Sequence, residues 1–547
     1  MRSGLDIPEA TGPVDDETAL FASELVERSG VAARAEALLA RSTGRPRTVP
    51  MHAVLTALVC LALEGRALLL TAATDLLHRR LSDHVRTTLG TAGPPLDRLG
   101  FLARYRCVRY CFHLLLSTMD PSLLPKNRRL SEKELAQRTK ELDEQAEVGA
   151  RRRLEETVNA LIEASLSVMT DAERAALSGT VGLDATCVPL FSRGPSKRSG
   201  LCASDPDGGW YIRQGDHRDV EGPDGRGLSK IAWALEATIC TAAPRVPGQA
   251  AGAANLVLGA ALERPGIDPG GTGVRVLASI VSRGYSAGPL GADRAYSAAL
   301  PERFHLPARA LGFTPVMDYR VDQLGVQAQS GGALLIEGAW HCPATPAVLV
   351  TATKDWRAGS IDHATYKARI AARAAYRLKR TEGPDKDGYE RHRCPALGEH
   401  AGLACPLRPP AGAMRDGRPK VLEAPAEPPK VCTQTAVTVA PDVGARHRQD
   451  LAFGSEEWAR AYATLRNTIE GQNGYLKDPA HEALAAPARR RVRGIAAQSL
   501  FCGVLLLAGN LRRLNAHREM VKAEGAPRSA ERARRRRTSL SDFRPSG

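Results

Sequence analysis

The chain reads as a mixed α/β protein with a helical N-terminal region, and three observations predict this. Apolar clusters recur at helical spacing through the first 170 residues, short β-type runs begin near residue 180, and strand-like and helical stretches alternate after them. At 547 residues the chain is long enough for several domains, or for one large domain with appendages. Its 43% apolar and 25% charged residues form an ordinary globular balance, which excludes wholesale disorder. Lys and Arg outnumber Asp and Glu by 75 to 60, a net charge of +15 that favours a polyanionic partner.

Residues 1–170 form the helical zone. Val54-Leu55 and Leu58-Val59 repeat at helical spacing, and Pro50 marks the boundary before them. Ser131-x-x-Glu134 is a capping-box pattern. It is expected to open one charge-laced helix with Leu135, Leu142, Leu154, Val158 and Leu161 along a stripe. Lys126, Arg128, Arg129 and Arg151 to Arg153 decorate that helix. A solvated face is the favoured reading of these charges, and a DNA-facing surface the other.

In residues 175–320 strands are expected at 180–190, 209–214, 231–240, 274–281 and 313–319, with helical stretches at 249–262 and 298–311. Residues 325–445 are rich in Gly, Pro and Cys, with strand-like pieces at 333–336, 347–352 and 436–440 and a charged helix at 363–379. Residues 450–515 return to helix. Residues 516–547 form a basic polar tail, carrying Arg-Ala-Arg-Arg-Arg-Arg at 532–537, that is expected to be disordered and to give non-specific DNA affinity. The opening residues lack the apolar core of a secretory signal. The apolar stretches at 53–63 and 500–508 fall short of the roughly 20 residues a bilayer span needs. The expectation is a cytoplasmic protein with reduced thiols and no membrane association.

Two acids in the second zone stand out. Asp184 lies mid-strand in Gly-Thr-Val-Gly-Leu-Asp-Ala-Thr, where a buried charge is costly unless paired or bound to a metal. Asp293 lies in Gly-Pro-Leu-Gly-Ala-Asp-Arg-Ala-Tyr, at a strand-to-helix junction. Singly, Asp184 could pair with an arginine and Asp293 could cap a helix. A third acid lies far downstream. In Tyr462-Ala-Thr-Leu-Arg466-Asn-Thr-Ile-Glu470-Gly-Gln-Asn-Gly-Tyr-Leu-Lys477, Arg466, Glu470 and Lys477 project from one helix face. One acid flanked by two bases suits a carboxylate metal ligand beside a phosphodiester; alone, the pattern is equally an i,i+4 ion pair.

Taken together, these residues resemble the DDE transposases of bacterial insertion sequences, which carry an RNase H-like catalytic core. Asp184 follows Gly-Leu as in the first signature of that family, and Ala-Asp293-Arg-Ala-Tyr is similar to its Ala-Asp-x-x-Tyr block. Glu470 sits in an Arg-x3-Glu-x6-Lys block like the Y-R-E-K signature of one large group. That signature asks for Tyr at position 463, which is Ala here; Tyr462 is one place early. The gaps of 109 residues from Asp184 to Asp293 and 177 from Asp293 to Glu470 agree with the subgroup that carries an insertion.

The resemblance implies an RNase H-like core (175–320 and 450–515) interrupted by a β-rich insertion (325–445), behind a helical DNA-recognition region (1–170). It implies that Asp184, Asp293 and Glu470 hold two Mg²⁺ (or Mn²⁺) ions and that Arg466 and Lys477 bind DNA phosphates. The activity implied is hydrolysis at the element's ends followed by transesterification into target DNA, by a homodimer on paired ends. A non-catalytic DNA-binding descendant and a same-fold nuclease that cuts without joining are the alternatives.

Cys342, Cys394, Cys405 and Cys432 could form a tetrahedral zinc site. Their separations of 52, 11 and 27 residues, without a C-x2-C knuckle, favour unligated, partly buried thiols; bound zinc would staple the insertion and take no part in catalysis. Arg489-Arg490-Arg491-Val-Arg493 precedes an apolar helix expected at 495–507 to pack on the core, leaving the arginines exposed for phosphate or solvent. Gly270-Gly-Thr-Gly-Val274 lacks the P-loop lysine, so no nucleoside triphosphate requirement is supported, and no Ser/His/Asp arrangement carries a local signature.

Overall fold

The computed structural model describes residues 12–40, 47–94, 96–122, 124–141, 143–195, 200–213, 230–244, 254–398, 401–408 and 418–525. The chain is mixed helix and sheet, 48% helical and 15% strand, in agreement with the mixed α/β class. The central sheet has six strands: β1 (Val181–Pro189), β2 (Gly209–Arg213), β3 (Lys230–Ala242), β4 (Val257–Glu263), β5 (Pro289–Ala292) and β6 (Thr314–Val316). Their order is β2-β3-β1-β5-β6, with β4 also paired to β3. β3 runs antiparallel to β1, β2 and β4, whereas β1, β5 and β6 are mutually parallel. The sheet is sandwiched. Gly273, in the Pro269–Ser282 helix, approaches Leu183 on one face, and Gly182 approaches Ile469 of the Glu456–Lys477 helix on the other. Side chains alternate along a strand, so Asp184 shares the Gly182 face.

Two expected assignments are exchanged. Residues 257–263 form β4 where helix was expected, and 274–281 lie in the Pro269–Ser282 helix where a strand was expected. Short apolar runs do not reveal their period. Val257–Glu263 is almost wholly buried, so position in the sheet overrides its Ala- and Leu-rich helical leaning. In the other segment Asp268 caps Gly271 N–H at 2.9 Å, Pro269 starts the helix, and Gly273, Val276, Leu277 and Ile280 form its buried stripe. Residues 249–253 of the first segment lie outside the described residues.

The N-terminal region is helical among the described residues. Met51–Leu63 begins after Pro50 and is buried nearly throughout. The Ser131–Glu134 capping box is present, but it opens only Glu132–Lys140; Asp143 caps a second helix, Glu144–Leu166, so the expected single helix is two. Leu142 lies outside the described residues. Several of the basic residues turn inward: Lys126 pairs with Asp120 at 2.8 Å, Arg151 binds Glu263 of β4 at 2.5 Å, and Arg153 donates to the Thr118 carbonyl at 2.6 Å.

The last helix, Ile495–Gly525, extends well past 507 and takes in the first residues of the stretch read as a tail; Arg518 there binds Glu173 at 2.7 Å. It lies against Glu144–Leu166, Met51–Leu63 and β4. Among the described residues it is the one helix long and apolar enough to cross a membrane, but 94% of its most apolar window is buried inside the protein. Residues 526–547, with the 532–537 arginine run, lie outside the described residues.

The insertion holds two small sheets, β7 (Val326–Ser330), β8 (Ala333–Ile336) and β9 (Ala339–His341), then β10 (Lys379–Glu382), β11 (Glu390–Arg393) and β12 (Val437–Val439). Residues 347–352, expected as strand, instead give the short helices Ala347–Val350 and Ala352–Arg357, the first starting after Pro346. Where the insertion leaves and re-enters the core, Gln449 pairs with Met317 like a strand neighbour, accepting from its N–H and donating to its carbonyl, both at 3.2 Å. That closure keeps the sheet and the Glu456–Lys477 helix together despite the long intervening chain.

Candidate active site

Each of the two aspartates is preceded by the same two-residue device, a glycine and a small or apolar residue. The parallel register pairs Gly182 with Gly291 and Leu183 with Ala292, so Asp184 and Asp293 follow on the next rung. The glycines admit the helix. A Cβ on Gly182 would stand 2.3 Å from Ile469 Cγ1, and one on Gly291 would stand 2.6 Å from Leu465 Cβ. Leu465 and Ile469 therefore rest directly on the two strands. Arg466 and Glu470, each one residue farther along, turn toward the carboxyl ends of the strands.

There a cleft of about 380 Å³ opens, lined among others by Asp184, Asp293, Tyr462, Arg466, Glu470 and Lys477. The structure thus brings together the three acids and both bases singled out from sequence. Asp184 is half-buried: one carboxylate oxygen accepts the Ala185 N–H at 2.8 Å, and the other accepts the buried Asn473 amide at 2.6 Å. Asp293 and Glu470 are exposed. Arg466 donates from Nε to Glu470 at 2.8 Å and from a terminal nitrogen to the Tyr462 hydroxyl at 3.4 Å. The Tyr462 bond, aided by the Glu470 charge, raises the Arg466 pKa. Tyr462 stacks on Trp458 with centroids 5.1 Å apart. At four residues before Arg466 it occupies the same helix face, so the one-place offset in sequence still delivers a tyrosine to the cleft. Tyr296, from the Ala-Asp-x-x-Tyr block, is buried beneath the acids; burial pushes its pKa up, and the charges of Asp184 and Asp293 push the same way.

No family model, curated protein or solved structure matches this chain. The reading of the cleft therefore stands on its own residues.

Sequence reasoning missed three residues of the cleft. Asn473 is the buried amide on Asp184. Asp318 lies just past β6, the third parallel strand, where it accepts from Arg357 of the insertion at 2.8 Å and from the Tyr319 N–H. Ser297 lines the wall near Asp293. Two signals were available: Asn473 falls three residues after Glu470 on the same helix face, and Asp318 ends a strand-like run, as Asp293 does. The donor set offered to a metal is carboxylate oxygen throughout, which suits a hard divalent cation. Among the described residues no group of three His, Cys, Asp or Glu side chains stands at metal-holding distance, and Glu470 is turned onto Arg466.

The Arg489–Arg493 run is not an exposed phosphate patch. Arg490 is fully buried, donates to the Leu484 carbonyl at 2.9 Å, and has its pKa lowered to about 10 by burial. Arg489 reaches the Gly65 carbonyl, Arg493 reaches Asn127, and Arg491 lies 5.3 Å over the Phe191 ring. Arg489 and Arg493 thereby tie the C-terminal segment to Gly65 and Asn127 of the N-terminal region.

Proposed function

We propose that the protein is a DNA transposase of the DDE type, cleaving phosphodiester bonds at insertion-sequence ends and joining them to target DNA. The observation that carries this reading is the convergence of Asp184, Asp293 and Glu470, from three distant segments, on one cleft shared with Arg466 and Lys477. The mixed sheet, with its first two acids on adjacent parallel strands and its third on a helix laid across them, supports an RNase H-like core. Asp184, Asp293 and Glu470 would hold Mg²⁺ or Mn²⁺, which when bound supplies Lewis-acid activation of the attacking and leaving oxygens.

The protein's own groups do the rest. Arg466 grips a phosphate by its fork of donors, and Lys477 adds a point charge at the other end of the same face. Tyr462, stacked on Trp458, holds Arg466 in line. Asn473 fixes the Asp184 carboxylate. As substrate phosphate engages Arg466, Glu470 is released from its ion pair and turns toward the two aspartates. In this reading the protein works in the cytoplasm on element ends and target DNA, as a homodimer on paired ends.

The test is excision of a marker placed between the DNA ends that flank this gene, comparing wild type with Glu470→Gln. Excision by wild type, reduced at least about a hundredfold in the variant with end binding retained, is the expected result. Equal excision by both proteins would remove Glu470 from the chemistry. Cut but unjoined products in the presence of target duplex would favour the nuclease alternative.

A further inference from the structure

Three of the four insertion cysteines begin the same short turn. Cys342-Pro-Ala-Thr, Cys394-Pro-Ala-Leu and Cys405-Pro-Leu-Arg each close with the fourth residue's N–H on the cysteine carbonyl, at 3.1, 3.1 and 3.0 Å. In the first two, the N–H two residues on (Ala344, Ala396) also points at the cysteine sulfur. Burial nonetheless raises both thiols, that of Cys342 to about 12, and the donor offsets this only in part.

The fold gathers these turns at one place. Cys394 directly follows β11, whose register pairs Arg393 with Lys379 of β10 and His392 with Val437 of β12. Cys342 directly follows β9, and its N–H donates to the Tyr376 carbonyl at 2.9 Å, just before β10 begins. Cys432 lies in the turn of helix that leads into β12. The third turn is tied to that same approach by Arg408, which donates to the Gln434 carbonyl at 2.6 Å. Cys342, Cys394 and Cys405 pack in one apolar cluster. Cys342 feels the charge of the other three, and Cys432 that of Cys394 and Cys405. None is in a disulfide.

We propose that Cys342, Cys394, Cys405 and Cys432 bind one Zn²⁺ as a structural tetrathiolate centre that clamps the ends of β9, β11 and the approach to β12. Four sulfur donors select zinc among the divalent ions available to a protein with carboxylate sites elsewhere. Among the described residues no three thiols stand at metal-holding distance, so ligation would draw the four together, each releasing its proton to solvent. The Cys-Pro-x-x turn takes the place of the C-x2-C knuckle. None of the four cysteines lines the acidic cleft, and the proposal is independent of the transposase reading.

The test is elemental analysis of the full chain purified without chelator or immobilised metal, together with growth on Co²⁺. One zinc per chain is expected, as are the intense sulfur-to-metal charge-transfer bands of a tetrahedral cobalt thiolate. Cys394→Ser and Cys405→Ser should each lose the metal. If these variants do not fold, thiol titration of wild type decides: four thiols should be shielded until a strong chelator is added, then react together. Metal-free protein whose four thiols react without chelator would overturn the site, and stoichiometric iron would overturn the choice of zinc.

Discussion

Asp184 is held by two donors that have different jobs. The Ala185 N–H belongs to the strand, whereas the Asn473 amide comes from the helix that carries Glu470, so a single 2.6 Å bond couples the first acid to the third. Removing it in Asn473→Ala should lower the excision rate constant by about tenfold, the equivalent of 1–2 kcal/mol for one lost bond to a charged group, while leaving affinity for DNA ends unchanged. An unchanged rate would make Asn473 a packing residue only. Away from the cleft, Asp205 lies on the segment that caps the last helix. One carboxylate oxygen accepts the Gly494 N–H at 3.1 Å, and the other is buried without a partner. Burial, then the neighbouring Asp207, raises its pKa to about 6. Raised above its unfolded value of 3.8, this acid contributes stability that is full below pH 4 and lost as pH rises through 6. Asp205→Asn should therefore melt at a higher temperature than wild type at pH 8, by up to about 3 kcal/mol of stability, with the difference vanishing below pH 4. Melting curves across that range check the sign. The acids were legible in sequence because each sat in an unusual local setting. Asn473 and Asp318 left only weak traces there, one helical turn past Glu470 and the end of a strand-like run, and they gain their meaning from neighbours in space.

At the scale of the element, the site depends on how closely the Glu456–Lys477 helix lies on β1 and β5. The Gly182–Gly291 rung sets that distance. Gly291→Ala brings a Cβ against Leu465 Cβ, an atom bound directly to the helix backbone, so the helix itself must lift. We expect the Gly291→Ala protein to fold with a loss of about 1–3 kcal/mol and to lose most excision activity, because Glu470 moves with the helix. Wild-type activity with normal stability would show that the rung tolerates a methyl group. Elements with a strong start signal or a long period were readable: β1, β3, the Met51–Leu63 helix and the capping box at Ser131. Those exchanged between helix and strand were short and apolar. In Pro269–Ser282 the start signal, Asp268 with Pro269, was present in sequence, but β-branched residues outweighed it. The cysteines' linear separations likewise do not show that three of them open one kind of turn and pack in one apolar cluster.

The whole molecule is organised differently from the zones of its sequence. Composition changes near residue 170 as though one domain ended there, yet Val54, Leu58, Leu161 and Leu166 belong to the same continuous hydrophobic core as Leu183 of β1, Leu258 of β4 and Leu500 to Leu507 of the last helix. The insertion, by contrast, keeps its own small clusters around Trp340 and Leu378 and around Cys342 and Leu403. A helix such as Met51–Leu63, buried on every side, cannot be satisfied by a face alone; it requires the C-terminal helix across it. The ties of Arg489 to Gly65 and Arg512 to Ala62 supply polar partners at the same junction. Residues 1–170 expressed alone should therefore fail to fold cooperatively, exposing an apolar surface that aggregates, and residues 175–547 should fail likewise. The two fragments produced together should recover a soluble complex with a cooperative melt, because the contacts they need lie between them. A fragment of residues 1–170 that melts cooperatively and binds the element's ends by itself would instead make it an autonomous DNA-recognition domain, and the shared core a docking surface between two independently folded parts.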